Sequence, residues 1–126
     1  MYKVKGVVKT GVQDFTKRMN NHPEAFRKAT GETLVSGTIN VEIDKPILIK
    51  EHFRIRGIDI DEPLQDLLFE PCYINDIPAY RIKPSNICAG EGGHGNDVLE
   101  ITSAQWIPNA EDGDIVEITF LRTDLQ

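Results

Sequence analysis

The sequence lacks most of the features that assign a protein quickly. No run approaches the ~18–20 consecutive apolar residues of a membrane-spanning helix, and the N-terminal MYKVKGVVKTG has neither the apolar stretch nor the cleavage pattern of a secretory signal. Membrane partners drop out, and the cytoplasm is the expected compartment. Cysteine is scarce: Cys72 and Cys88 have no CxxC pair and no histidine at ligand spacing. That excludes a disulfide framework and a zinc site, and leaves two reduced, buried thiols as the expectation. His22, His52 and His94 fall in three separate segments without triad or ligand spacing. GxxxxGK[ST], GxGxxG, GxSxG and HExxH are all missing, so the usual NTPase, dinucleotide, hydrolase and zincin readings have no motif. Positive charge is also short, with 14 basic against 20 acidic residues and a net of −6. A protein that coats duplex nucleic acid would be strongly basic.

What is present is a globular composition. The 126 residues are 40% apolar and 27% charged, which fits one domain around one packed core. The charge is unevenly spread. Residues 1–30 carry seven basic side chains (Lys3, Lys5, Lys9, Lys17, Arg18, Arg27, Lys28) against Asp14 and Glu24, a net of +5, whereas the other 96 residues carry −11. A basic segment on an acidic body suits either an anionic ligand or a solvated face balanced by an acidic neighbour.

Valine-rich alternation predicts a first strand over Lys3–Lys9, ended by Thr10-Gly11. Residues 12–21 are ambiguous. Asn21 or His22 as cap, Pro23 in the first turn and Gly31 past the end predict a short helix over 23–30 that buries Phe26 and Ala29. Thr33 to Ile43 alternates as a strand with an early kink or close approach at Gly37, and residues 47–61 read as one or two short strands. EPLQDLLFEP suits a helical turn or a covering loop. A hairpin follows from Cys72 about Asn75-Asp76, then a long glycine-rich loop over 84–97. Val98–Thr102 is the next strand, and Glu111–Asp114 turns into a last one, IVEITFL. Six or more short strands, one short helix and no strand–helix alternation predict a mainly β protein, a small closed barrel.

Four groups of residues carry potential chemistry. Thr38 and Asn40 stand two apart in the expected strand and share a face; a hydroxyl and an amide carbonyl are hard oxygen ligands of the kind Mg²⁺ accepts beside water and phosphate oxygens. Glu100, between Leu99 and Ile101, points away from the core toward solvent or a cleft. The glycine cluster around His94 offers backbone N–H groups to an anion, or is a surface loop. Lys9 at the end of the first strand, with Lys17 or Arg18 as alternatives, is a candidate source of positive charge.

In order along the chain, the strand running into Thr10-Gly11, the helix closing at Gly31, GTIN and VEID at 37–44, the cysteine-led hairpin, Leu99-Glu100-Ile101 and the terminal DGDIV resemble the archaeal-type CTP-dependent riboflavin kinases over roughly residues 3–122. The resemblance implies a six-stranded cradle-loop barrel that moves the terminal phosphoryl group of CTP to riboflavin, giving FMN and CDP with Mg²⁺. It implies Thr38 and Asn40 as metal ligands, and Val8, Lys9, Thr10, Gly11, Val12 and Gln13 beside the nucleotide. It also implies Gln105, Trp106, Ile107 and Pro108 as further nucleotide contacts, and Glu100 on the flavin. The chain departs from the family at Gln13-Asp14, where a second glycine is usual, and at Trp106-Ile107, which replaces a leucine–arginine pair. Gly92 stands where the family has a flavin-contacting threonine, leaving Ser85 or His94 as substitutes. The alternative is a non-catalytic flavin- or nucleotide-binding barrel of the same fold.

Overall fold

The computed structural model describes residues 1–9, 15–35, 37–85 and 96–122. Seven strands, β1 (Tyr2–Lys9), β2 (Ile39–Glu42), β3 (Phe53–Ile55), β4 (Leu67–Ile74), β5 (Ile77–Pro84), β6 (Val98–Thr102) and β7 (Ile115–Phe120), form one antiparallel sheet in the order β3-β4-β5-β6-β2-β1-β7. Pairing of Cys72–Ile74 with Ile118–Phe120 joins β4 to β7 and closes six strands into a barrel, with β3 an extra strand outside the closure.

Alternation sorts the side chains into two cores. Val8, Val41, Leu99, Ile101, Val116, Ile118 and Phe120 fill the barrel interior. On the outer face of β3, β4 and β5, Phe69, Leu67 and Ile82 pack against Phe15, Met19 and Phe26. The helix expected at 23–30 is α2 (Pro23–Thr30), closed by Gly31 in the left-handed region with its N–H bonded to Arg27 O at 2.7 Å. His22 precedes it without a side-chain cap bond. A second, six-residue helix, α1 (Thr16–Asn21), stands where the sequence was ambiguous, and Met19 is its buried residue.

Two expected elements change. The strand expected over 33–43 is β2 alone, Ile39–Glu42, because Gly37 has φ 103° and the backbone enters the ladder only after Thr38. EPLQDLLFEP is neither helix nor cover: β4 begins at Leu67, so the hairpin is longer than its cysteine-led half. Its turn is Asn75-Asp76 as expected, both at positive φ. On one flank β4 pairs β5 throughout; on the other it pairs β3 at 67–69 and β7 at 72–74. Glu70-Pro71 falls in the gap between those partners, where the missing proline N–H costs no ladder bond on that side. Among the described residues no helix is long and apolar enough to cross a membrane.

Candidate functional site

One row of side chains crosses the outer face of the barrel. Register pairs Lys9 with Asn40, Asn40 with Glu100, Glu100 with Ile82, and Ile82 with Phe69. The apolar half of this row lies in the second core; the polar half is Lys9, Asn40 and Glu100. Their neighbours Val8, Val41, Leu99 and Ile101 point into the barrel, so alternation forces Asn40 and Glu100 outward together. Directly opposed residues of an antiparallel pair hold their Cβ atoms ~4.5–5.5 Å apart. Both are enclosed, Asn40 4% and Glu100 3% exposed, whereas Lys9 at the end of the row is exposed. Glu100 is therefore a buried carboxylate rather than a solvent-facing one.

Thr38 stands just before β2, not in the strand. Continuing the register places it beside Thr102, whose Oγ1 donates to Gly37 O at 3.2 Å. Thr38 Oγ1 is buried and has no hydrogen-bond partner among the described residues. A cleft of about 190 Å³ opens at this end of the β2–β6 pair, lined by Thr38, Thr102, Ser103, Gln105, Trp106 and Ile107 among others. Ser103 holds the following loop in place: its Oγ donates to Pro78 O at 2.7 Å and accepts from the Gln105 N–H at 3.0 Å. Trp106 is 79% exposed at the rim, and Ile107 is buried.

The structure thus gathers Thr38, Asn40 and Glu100 on one face, with Gln105, Trp106 and Ile107 at the adjoining cleft and Lys9 at the row's far end. Pro108 is exposed and does not line the cleft. Val8 lies in the barrel core, its backbone N–H and carbonyl taken by Asp114 O and the Gly113 N–H, each at 2.8 Å. Thr10, Gly11, Val12, Gln13 and His94 lie outside the described residues, as do Asp14, Cys88 and Gly92 and most of the loop expected at 84–97. Thr102 and Ser103 were missed by sequence reasoning. The signal for Thr102 was present, since it stands two residues after Glu100 in VLEIT and shares its face.

Among the described residues no group of three or more His, Cys, Asp or Glu gathers to hold a metal. The enclosed Thr38 hydroxyl, the Asn40 amide and the Glu100 carboxylate form a hard-oxygen donor set. It fits a Mg²⁺ that takes its remaining ligands from water and phosphate. The basic N-terminal segment is partly neutralised: Arg18 pairs with Glu62, Arg27 with Glu24, and Lys3 with Glu117 at 3.8 Å. No protein-family model matches the chain, and comparison with curated proteins gives no match.

Proposed function

We propose that the protein is a phosphotransferase resembling the CTP-dependent riboflavin kinases, moving the terminal phosphoryl group of CTP to the 5′-hydroxyl of riboflavin. The observation that carries this reading is the face shared by Asn40 and Glu100 across β2 and β6, with Thr38 at its edge and Lys9 in line.

Phosphoryl transfer asks for positioning and charge neutralisation rather than covalent help from the protein. Glu100 holds the riboflavin hydroxyl and takes its proton as the oxygen attacks the terminal phosphorus. The bond from that phosphorus to the bridging oxygen breaks, and CDP leaves with the electron pair. Thr38 and Asn40 would hold Mg²⁺, which supplies neutralisation of the triphosphate charge. Lys9 adds an ammonium at the solvent end of the row, and burial of Asn40 and Glu100 keeps water from screening their interactions.

A second reading, a flavin- or nucleotide-binding barrel without turnover, is favoured by the cleft lining, in which no charged side chain is found among the described residues. One experiment separates the two. Purified protein with riboflavin, CTP and Mg²⁺ is expected to yield FMN by fluorescence-detected chromatography, and Asn40→Ala or Glu100→Gln is expected to lower kcat about 10²–10³-fold. Ligand binding with no FMN from any nucleoside triphosphate replaces the kinase reading with the second one.

A further inference from the structure

A second charged cluster, separate from the face just described, lies inside the barrel. Arg81 is opposite Ile101 and Glu70 is opposite Arg81, so both follow Ile101 inward, and each is 1% exposed. Each Glu70 oxygen is already engaged: Oε1 accepts the Lys50 N–H at 2.9 Å, and Oε2 lies 3.0 Å from Arg122 Nε. Arg122 also donates to Leu48 O at 2.7 Å and lies over the Phe120 ring, 5.3 Å from its centroid. Arg81 receives nothing comparable: both terminal nitrogens of its guanidinium have no hydrogen-bond partner.

The charge does not balance. Only two carboxylates are buried among the described residues, Glu70 and Glu100, and Glu100 faces outward. Arg81 and Arg122 together therefore meet one carboxylate, which leaves positive charge in excess at this end of the inner face, where Lys83 farther along adds no negative charge to offset it. Burial and the Arg122 charge lower the Arg81 pKa to about 10, so the guanidinium remains protonated at neutral pH. Burial pushes the Cys72 thiol, beside it, up to about 12, so no thiolate supplies the missing charge. A buried cation with unmet donors is strongly destabilising unless a group of opposite charge reaches it. The inward side chains flanking Arg81 toward the hairpin are the small Ala79 and Cys72.

We propose that the barrel interior binds one small monovalent inorganic anion, of the halide or nitrate class, at the Arg81 guanidinium beside Arg122. Burial of the guanidinium favours a small anion of single charge, because a dianion would carry a larger desolvation cost. This site is independent of the kinase reading.

Thermal unfolding of the whole chain tests it, in sodium chloride or sodium nitrate against sodium gluconate at constant ionic strength. Chloride and nitrate are expected to raise Tm saturably by about 3 °C, gluconate to leave it unchanged, and Arg81→Met to abolish the saturable rise. Equal responses to chloride and gluconate in the wild type overturn the proposal, as does an Arg81→Met variant that keeps the chloride response. Should Arg81→Met fail to fold, ³⁵Cl line broadening on the wild-type protein decides: broadening that nitrate displaces supports the site, and its absence overturns it.

Discussion

Gly37 controls where the candidate site begins. Its φ of 103° ends the irregular segment and sets Thr38 at the mouth of the cleft, while its carbonyl takes the Thr102 hydroxyl and its N–H meets the Met19 sulfur at 3.3 Å. A Cβ here would stand 3.1 Å from Thr16 Oγ1. Gly37→Ala is therefore expected to cost about 1–2 kcal/mol from backbone conformation, read as a lower urea midpoint. On the proposed function, the same change should weaken the site more than the fold: KM for CTP would rise several-fold while Asn40 and Glu100, held by the β2–β6 ladder, stay in register. A variant with unchanged KM would detach Thr38 from nucleotide binding. The residues of the site were legible in the sequence to the extent that alternation reaches. Asn40 and Glu100 each show an outward position between apolar neighbours, but that they oppose each other depends on β2–β6 pairing across some sixty residues, which no local pattern encodes.

At the scale of elements, local signals were read well where a turn residue dictates the backbone, as at Asn75-Asp76 and at Pro23 to Gly31. They failed where tertiary pairing overrides local preference. Glu70-Pro71 within a strand looks wrong until β4 is seen to exchange β3 for β7 at that point. The start of β4 is fixed by Asp66, whose carboxylate accepts the Gly57 N–H at 2.8 Å and an Arg54 N–H at 2.7 Å, while its backbone N–H donates to Ser85 Oγ at 2.9 Å. These contacts tie β3, the 3₁₀ turn Gly57–Ile60 and the β4–β5 pair together. The Gly57 hydrogen bond, followed by the Arg54 guanidinium, holds the Asp66 pKa below its ordinary 3.8. A carboxyl depressed in the folded state contributes stability that is present above the ordinary value and lost as pH falls through the folded one. Asp66→Asn should therefore be less stable than wild type at neutral pH, with the gap in urea midpoint narrowing as pH drops below 3.8. A gap constant with pH would show that the charge of Asp66 contributes nothing to the joint.

The whole molecule depends on closure, and the seam that closes it, β4–β7, is short, with three register pairs against eight between β4 and β5. The hairpin turn extends that seam: the Asn75 N–H donates to Glu117 O at 2.8 Å, and the Glu117 N–H donates to Asn75 Oδ1 at 2.9 Å. Asn75 does this with φ 47°, a conformation that asparagine tolerates better than most residues. Asn75→Gly keeps the backbone freedom and removes only the side-chain acceptor, leaving the Glu117 N–H to water. One such bond is worth about 1 kcal/mol. Because the same sheet carries both cores, the loss should appear in the global transition rather than as local fraying. The chain has one tryptophan, Trp106, on the loop after β6, so its fluorescence reports a part of the barrel other than the seam. Urea unfolding followed by Trp106 fluorescence and by far-ultraviolet circular dichroism is expected to shift equally in Asn75→Gly, with coincident curves. If the dichroism moves and the fluorescence does not, the seam opens without the rest of the sheet and the barrel is not one cooperative unit.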